Sequence, residues 1–376
     1  MEAQMCSKCV MTTDYSWIYL DEEGMCNLCR QWEKRWGNYD YEKAGEKLKK
    51  IFQQAKAKKR PYDCLITYSG GRDSSYVLYL CKEKYGLNPL AVTFNNGFMS
   101  DYAISNIFES VKKLNVPHIL FSYDMRDLLK MYREMVVNTG EFCSICSNGI
   151  NMVAIIFQQK FKIHLIVSGT STRTDEQSPL EVRTSHPVYI KKVLKRSFPE
   201  EMVEKFVIPR RNDLTPFQLF KLKISGADYR NINLPDYMPW NNEEIQRILM
   251  EKLNWKTPDM HKDHIDCKYG NVKSYFKEQQ LSGYIYLREK YSQLIRDGQM
   301  SREDAIKKLD AVKEEFNTPD NLDEFLSLLD LKYDDIKDIG KKSHLDFVRK
   351  EDLVRQRTLS EKILMQIWKG AKAIVH

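Results

Sequence analysis

The stretch that decides the fold is DCLITYSGGRDSS, residues 63–75. It joins a short apolar run, Asp63–Tyr68, to a turn with two glycines and then to a helical pattern over Asp73–Tyr85. A strand, a glycine-rich turn and a helix in this order leave free backbone N–H groups at a helix N-terminus, where the helix dipole favours an anion. Gly70 and Gly71 let the backbone approach that anion without a Cβ clash. The stretch therefore predicts a phosphate-binding loop.

Polar side chains complete this loop. Ser69, Ser74 and Ser75 add hydroxyl groups, and Asp73 places a carboxylate beside the expected anion. A carboxylate next to a phosphate makes chemical sense when a divalent cation such as Mg²⁺ bridges the two. The loop does not fit the Walker A pattern, because no Gly-Lys-Ser/Thr follows it. We expect Ser69 and Asp73 to act in catalysis and the whole loop to bind phosphate.

Downstream of the loop, apolar runs alternate with helical patterns. The expected strands after Asp63–Tyr68 are Pro89–Phe94, His118–Phe121 and Ile163–Ser168, and the expected helices between them are Asp101–Asn115, Asp124–Asn138 and Ser147–Lys160. Strands that alternate with helices predict a parallel sheet covered on both faces. The fold class is therefore α/β.

Composition sets the broad class of the protein. The chain has 376 residues, of which 42% are hydrophobic and 30% charged, which supports a sizeable core and excludes a disordered protein. Every apolar run is shorter than the roughly 18 residues that cross a bilayer, and the N-terminus lacks a signal-peptide pattern. We expect a soluble cytoplasmic protein without a membrane partner. The net charge of +7 fits a small anionic substrate as well as a nucleic acid.

Four regions follow from the patterns along the chain. We expect a cysteine module over residues 1–37, a helical connector over 38–60, the nucleotide domain over 61–240 with an irregular proline-rich insertion from 172, and a helical region over 241–376. The helices expected in the last region are Asn241–Leu253, Gly283–Asp297, Ser301–Glu315, Asn321–Leu329 and Leu359–Gly370. The sequence of the connector predicts a polar helix with few apolar residues along one face.

Two pairs of cysteines near the N-terminus have the spacing of a metal site. They are Cys6, Cys9, Cys26 and Cys29, with sixteen residues between the pairs. Each C-x-x-C turn brings two thiolates close enough to share one ion, and the spacing matches a tetrahedral Zn²⁺ site. A module this small can hardly fold without a bound metal ion that links its parts. We therefore predict structural zinc.

A second cysteine set allows three interpretations. Cys143 and Cys146 form a C-x-x-C pair before the Ser147–Lys160 helix, and Cys267 lies far downstream. The three thiols could hold a 4Fe–4S cluster with an open position. They could hold a second Zn²⁺ completed by His264 or Asp266, or they could serve only in packing.

The S-G-G-x-D-S-S loop resembles the pyrophosphate (PP) loop of the N-type ATP pyrophosphatases. That resemblance implies ATP cleavage between the α and β phosphates, with an adenylate intermediate. It also implies that the end of the second strand contacts adenosine and that a glycine-containing loop after the fourth strand faces the nucleotide. The residues at those positions are Thr93, Phe94 and Asn95 on the second strand, and Gly169 and Thr170 after the fourth. Asp175 follows them, either as a catalytic carboxylate that binds a second metal ion or orients a group, or as a surface turn residue.

Several further motifs resemble the N-acetyl sugar amidotransferase family. They are Met5–Val10, Asp21–Cys29, Asn233–Trp240, His264–Cys267 and Leu294–Ala305. The resemblance implies conversion of a sugar acetamido group to an acetamidino group, in nonulosonate or O-antigen (lipopolysaccharide) precursors such as those of pseudaminic or legionaminic acid. It further implies an acidic or nucleotide-linked sugar substrate, a glutaminase subunit that supplies ammonia, and an assembly that could be a homodimer. Candidate anion-binding residues are Arg173, Arg183, Arg210 and Arg211.

The rival function is sulfur transfer. In a PP-loop sulfurtransferase the same adenylate would be attacked by a persulfide or cluster-bound sulfide, and the second cysteine set would take part. The product would be a thiolated tRNA or small metabolite. The absence of a basic stripe with interleaved aromatic residues argues against tRNA.

Overall fold

The structure, a computed structural model, describes most of the chain. The described residues are 3–170, 173, 186–209, 211, 214–258, 265–281, 283–313 and 318–349. Asp175, Arg183, Arg210, His264 and the expected helix Leu359–Gly370 lie outside the described residues.

A five-stranded parallel sheet forms the centre of the fold. Its strands are β1 (Cys64–Thr67), β2 (Pro89–Asn95), β3 (His118–Ser122), β4 (Leu165–Ser168) and β5 (Arg230–Asn233), in the order β3-β2-β1-β4-β5. The predicted α/β class is confirmed. From β1 the chain adds β2 and β3 on one side, and then adds β4 and β5 on the other side. In parallel sheets whose strand order reverses in this way, ligands bind in the crevice at the carboxyl ends of the two strands at the reversal, here β1 and β4.

Helices cover both faces of this sheet. Those described are α1 (Asn27–Trp36), α2 (Tyr41–Ala57), α3 (Arg72–Tyr79, continued by a π-helical turn), α4 (Asp101–Lys113), α5 (Met125–Thr139), α6 (Cys143–Phe161), α7 (Pro187–Leu194), α8 (Glu200–Phe206), α9 (Pro216–Ile224), α10 (Asn242–Leu253), α11 (Gly270–Leu281), α12 (Ile285–Arg296), α13 (Arg302–Lys313), α14 (Leu322–Leu328) and α15 (Tyr333–Ile336). One core joins α2, α3, α4 and α10 to the sheet, and the other joins α5, α6 and α7 to it. In the described part of the chain, each helix is too short or too polar to cross a bilayer.

Three elements differ from the sequence expectation. The region from residue 172 to 240, expected to be irregular, contributes α7–α9 and the edge strand β5. Helix α6 begins at Cys143 and not at Ser147, because the Glu141 carboxylate accepts a hydrogen bond from the Ser144 N–H at 3.1 Å and satisfies a free donor of the first turn. The connector helix α2 is not merely polar, since it buries Leu48 and Phe52 in the core.

The cysteine module packs against the C-terminal helices. Its small core includes Met11, Ile18 and, from α12, Ile285. The Tyr15 hydroxyl donates to the Gly283 carbonyl at 3.1 Å, and the Val10 N–H donates to the Ser292 hydroxyl at 3.3 Å. Residues more than 260 positions apart in sequence therefore form one folded unit.

A buried ion pair ties the segment after β4 to the end of α12. Arg173 Nη1 lies 2.9 Å from Asp297 Oδ1, and both side chains are almost fully buried. The same guanidinium donates to the Met238 carbonyl and lies over the Tyr41 ring. Burial raises the pKa of Asp297. Arg173, a candidate anion-binding residue, is thus engaged inside the fold.

We expect Asp297→Leu to lower the free energy of unfolding by about 3–5 kcal/mol, because it leaves the Arg173 charge buried without its partner. Urea denaturation measures this loss. Asp228→Leu is the matched control, since Asp228 pairs with the more exposed Arg211 at 2.5 Å and should cost about 1 kcal/mol or less. Equal losses in the two variants would contradict the prediction.

Candidate functional site

The loop after β1 has the backbone geometry of an anion site. Gly71 precedes α3 in an extended conformation, and no side chain caps the helix there. Gly70 has φ +78°, and a Cβ atom at this position would lie 2.4 Å from the Ala103 carbonyl oxygen. Only glycine fits this turn. The Gly70 carbonyl accepts hydrogen bonds from the Trp255 indole at 2.9 Å and from the Asn106 amide at 3.3 Å, which hold the loop in place.

The loop serines divide into two groups. The Ser69 and Ser74 hydroxyls lie 3.2 Å apart, and the Ser69 hydroxyl accepts from the Gly71 N–H at 3.3 Å. Both side chains therefore stand at the mouth of the loop. Ser75 is fully buried, 3.3 Å from the Tyr68 hydroxyl. Ser69 and Ser74 thus lie partly exposed where the loop meets α3, and Ser75 is enclosed in the core.

Asp73 stands where the loop meets the end of β4. Its Oδ1 accepts a hydrogen bond from the Trp240 indole at 2.8 Å, and its Oδ2 lies 3.0 Å from the Arg72 guanidinium. A Cβ atom on Gly169 would lie 3.0 Å from the Asp73 Cβ, so the glycine permits this close approach. Thr170 follows at the surface, its hydroxyl 2.9 Å from that of Ser168. The predicted residues Asp73, Gly169 and Thr170 are thus brought together in the crevice between β1 and β4.

A second carboxylate reaches the loop from far along the chain. Asp266 Oδ2 would lie 3.3 Å from a Cβ atom on Gly71. The Ser100 N–H donates to the Asp266 carbonyl at 3.2 Å, so the extended segment that carries Asp266 pairs with residues just before α4. The sequence interpretation considered Asp266 only as a zinc ligand beside Cys267. The sequence could have shown that Asp266 and Cys267 serve different sites, because adjacent side chains of an extended segment point in opposite directions.

The end of β2 presents fewer side chains to a nucleotide than the sequence predicted. Thr93 is buried, and its hydroxyl donates to the Tyr68 carbonyl at 2.6 Å. Phe94 packs in the core against Gly149, where any Cβ atom would overlap its ring. Asn95 stands at the carboxyl end of β2, where its amide donates to the Ser122 hydroxyl at 3.1 Å. The Thr93 and Phe94 side chains therefore serve the fold, and Asn95 is the one of the three that is open to a ligand.

The four N-terminal cysteines converge on one point. Their sulfur atoms all lie within 4.8 Å of one another, with Cys9 and Cys26 at 3.7 Å and Cys6 and Cys29 at 4.0 Å. A single ion bound about 2.3 Å from four tetrahedral sulfurs would hold them about 3.8 Å apart. The set therefore fits one tetrahedral metal ion.

A buried arginine lies beside these sulfurs. Arg296, from the end of α12, donates to Cys29 Sγ at 3.4 Å and approaches Cys9 Sγ at 4.0 Å. Four thiolates around a divalent ion carry a net negative charge, which a guanidinium offsets while orienting the sulfur atoms. Arg296 was not among the residues that the sequence predicted, because it lies 267 positions from Cys29.

We expect Arg296→Leu to weaken metal binding about 10- to 100-fold, because it removes the hydrogen bonds that orient Cys29 and Cys9. Metal release to a coloured chelator measures the change. Arg30→Leu is the control: Arg30 lies beside the cysteines on α1, but its guanidinium pairs with Asp21 and Glu23. Unchanged affinity in Arg296→Leu would show that the guanidinium only fills space.

The second cysteine set gathers around a buried tyrosine. The Tyr132 hydroxyl lies 3.0 Å from Cys146 Sγ, and the Asn96 amide donates to the same sulfur at 3.5 Å. Burial raises the pKa of Cys146, and it raises that of Cys267 to about 11. Among the described residues, these sulfurs and Cys143 do not form a group within the 4.8 Å that the first set shows. A cluster binds each thiolate through a different iron atom, so wider spacing is compatible with iron–sulfur ligation as well as with packing.

The C-terminal part of the chain matches a known family of proteins. Residues 268–360 match the family model "LPS biosynthesis protein WbpG-like, C-terminal domain". An uncharacterized protein of Methanocaldococcus jannaschii is 26% identical over 312 residues, covering 82% of this chain and 94% of that protein. The matched family region begins beside Cys267 and includes α11–α15.

Solved structures with low similarity include two enzymes. The tRNA thiolase NcsA of Methanococcus maripaludis, with its 4Fe–4S cluster, is 15% identical with a TM-score of 0.33, covering 86% of this chain and 92% of its own. The NH3-dependent NAD synthetase of Campylobacter jejuni is 14% identical with a TM-score of 0.30, covering 60% of this chain and 100% of its own.

Proposed function

We propose that this chain is an ATP-dependent amidotransferase of the PP-loop superfamily that acts on an N-acetyl sugar. The acetamido oxygen attacks the α-phosphorus of ATP, and the bond from that phosphorus to the pyrophosphate oxygen breaks. Ammonia then adds to the imidate carbon and loses a proton. AMP departs with the former acetyl oxygen, which leaves an acetamidino group. Adenylation is required because an amide oxygen is otherwise a very poor leaving group.

The observation that carries the proposal is the position of the Ser69–Ser75 loop. It lies in the crevice between β1 and β4, with its helix N-terminus uncapped and Gly169 packed against Asp73. Backbone N–H groups and the helix dipole there suit the departing pyrophosphate. Hydroxyl groups of Ser69 and Ser74 add donors to its oxygens, and holding donors where charge develops is a large source of rate acceleration.

Two carboxylates at the loop suit Mg²⁺. Asp73 lies against Gly169 and accepts from the Trp240 indole, and Asp266 Oδ2 approaches Gly71. Mg²⁺ is bound by one or two carboxylates together with substrate phosphates, which is what this arrangement offers. When bound, the ion offsets the negative charge of the phosphates. Asp73 and Asp266 would hold it; Asp175, for which the sequence suggests a metal-binding or orienting role, lies outside the described residues.

We assign structural Zn²⁺ to the four N-terminal cysteines. The sulfur spacing matches a ZnS₄ tetrahedron, all four side chains are buried, and no ligand position is left open for substrate. The ion would hold the module against α12 and α13.

The sugar substrate and the source of ammonia are part of this proposal. The family model over residues 268–360 is named for LPS biosynthesis, which supports a sugar acceptor. Ammonia would come from a separate glutaminase subunit, and an acidic or nucleotide-linked sugar suits the basic character of the chain. Use of ATP suits a cytoplasmic enzyme.

An oxygen-label experiment tests this function. The N-acetyl sugar is prepared with ¹⁸O in the acetamido oxygen and incubated with ATP, Mg²⁺ and ammonium. The expected result is AMP that carries the label and a sugar that has gained nitrogen from ¹⁵N-ammonium. Labelled AMP without nitrogen in the sugar would keep the adenylate but reject ammonia as the nucleophile. Absence of label in AMP would reject adenylation.

Sulfur transfer is the second candidate, favoured by the second cysteine set. Cys267 directly follows Asp266 and pairs through its backbone with Met99, and the Asn96 amide donates to Cys146 Sγ, so the set lies around the segment after β2. Iron and acid-labile sulfide in protein purified without oxygen would favour this candidate, with Cys143, Cys146 and Cys267 holding a 4Fe–4S cluster. Zinc without sulfide would favour amidation, and a second equivalent of zinc would place Zn²⁺ at this set.

A further inference from the structure

A large cleft lies where β4 and β5 begin. Its volume is about 810 Å³, and its lining includes His164 and Leu165 at the start of β4 and Arg230 at the start of β5. The Ser69–Ser75 loop follows the carboxyl end of β1, which is the parallel neighbour of β4. The four residues of β4, which span about 10 Å, separate the two places. The cleft and the loop therefore lie at opposite ends of the sheet.

Basic side chains dominate the charge of this cleft. Its permanently charged lining groups are Lys58, Arg211 and Arg230, together with one acid, Asp228. Arg211 pairs with Asp228 at 2.5 Å, whereas the Lys58 and Arg230 side chains have no acidic partner among the described residues. Two positive charges of the described lining are therefore left over. A phosphate monoester carries a charge of about −1.5 to −2 at pH 7, which matches them.

Hydrogen bonds to the segment before β5 hold two lining groups in place. Arg211 Nε donates to the Tyr229 carbonyl at 2.8 Å, and His164 Nδ1 lies 2.7 Å from the Asp228 carbonyl oxygen. Because a carbonyl oxygen only accepts, Nδ1 carries the hydrogen, and Nε2 of His164 has no partner among the described residues. Groups that are positioned before a ligand arrives lower the cost of binding it.

The uncharged part of the lining suits a sugar. Gln54, Asn151 and Asn231 carry amides, which offer hydrogen-bond donors and acceptors to hydroxyl groups. The described lining presents no aromatic face on which a nucleobase could stack, because Tyr229 is only 5% exposed and its ring lies under the Arg211 guanidinium. The cleft is also far larger than a phosphate ion, which leaves room for the organic part of a ligand.

We propose that this cleft binds a phosphorylated sugar. Lys58 and Arg230 contact the phosphate oxygens, with the Arg230 guanidinium able to donate two parallel hydrogen bonds. The amides of Gln54 and Asn231 contact the sugar hydroxyl groups. Arg211, one of the anion-binding candidates from the sequence, belongs to this cleft and not to the crevice between β1 and β4. Occupancy of the cleft does not depend on the reaction proposed for the Ser69–Ser75 loop.

Isothermal titration calorimetry of the full-length chain tests the cleft, with glucose 6-phosphate, fructose 6-phosphate and mannose 6-phosphate as probes. These sugars carry no acetamido group, so they are not acceptors for the proposed reaction. We expect at least one of them to bind, and Arg230→Gln and Lys58→Gln each to weaken its binding at least about tenfold, because each removes a charged hydrogen-bond donor. Both side chains are exposed, so both variants should fold.

Lys49→Gln is the matched control. Lys49 is an exposed lysine on α2, the helix that ends beside Lys58, and it lies about 160° around that helix from the lining residue Ile51. Its replacement should leave the affinity unchanged. Asp73→Asn should also bind the probe as the parent does, and a loss of affinity there would place the probe at the Ser69–Ser75 loop and overturn the proposal.

Three other results would overturn the proposal. The first is that none of the three probes binds at concentrations up to about 10 mM. The second is that Arg230→Gln and Lys58→Gln both keep the parent affinity, or that Lys49→Gln loses as much as they do. The third is that inorganic phosphate or glucose binds as tightly as the best probe, because the cleft would then recognise only one half of a phosphorylated sugar.

Discussion

Replacement of Asp73 by Asn is expected to slow ATP cleavage by about 10³-fold, the effect of removing a group that stabilises charge in the transition state. Asparagine keeps the oxygen that accepts the Trp240 indole hydrogen bond, and the Asp73 side chain is about one-third exposed. The free energy of unfolding should therefore change by less than about 0.5 kcal/mol. Release of pyrophosphate, followed with a coupled assay, measures the rate, and urea denaturation measures the stability.

Asp101→Asn is the matched control for Asp73→Asn. Asp101 also opens a helix, α4, after a cap residue, but it is exposed and outside the crevice. Its replacement should leave the rate unchanged. Full activity in Asp73→Asn would sink the assignment of the Ser69–Ser75 loop to phosphate binding. Equal losses in both variants would point to a general effect of charge.

Substitution of Cys6 by Ser is expected to release the metal ion and unfold the cysteine module. Metal binding contributes about 10–16 kcal/mol in small zinc domains, a sum comparable to the whole stability of a typical domain. The module has few other stabilising contacts, since Met11, Ile18 and Ile285 make up much of its hydrophobic core. Unfolding should extend to α13, because Arg302 donates to the Cys6 and Cys9 carbonyls at 3.1 and 3.2 Å. Metal analysis and limited proteolysis measure both effects.

Cys81→Ala is the control that distinguishes loss of the metal ion from a general loss of stability. Cys81 is fully buried in the other core, far in sequence from the first set, so this variant should lose some stability but retain all of its metal. Full metal content in Cys6→Ser would reject the four-cysteine site. Loss of metal without any change in proteolysis of residues 3–36 would reject its structural role.

The central part of the fold could be predicted because its signals are local. The apolar run at β1, the two glycines and the helical pattern of α3 lie within 25 residues, and each follows from backbone and side-chain preferences alone. The C-x-x-C pairs are equally local, and their spacing led directly to the four sulfur atoms that converge. The alternation of strands and helices gave the parallel sheet for the same reason.

The missed features depend on contacts between distant parts of the chain. Strand β5 is four residues long with a polar sequence, so only its pairing with β4 defines it. Asp266 reaches Gly71 because its segment pairs with residues near Ser100, and no periodicity indicates that. Arg296 meets Cys29 only after the module docks on α12. Tertiary packing, rather than local preference, decides each of these.

Cleavage of ATP labelled at the α-phosphate tests the central claim most directly. The protein is incubated with Mg²⁺, ammonium and a panel of acidic and nucleotide-linked N-acetyl sugars, with Asp73→Asn in parallel. We predict that one class of sugar elicits labelled AMP together with pyrophosphate, and that the variant forms neither. Formation of ADP and phosphate in place of AMP, or equal AMP from the parent and Asp73→Asn, would contradict adenylation at the Ser69–Ser75 loop.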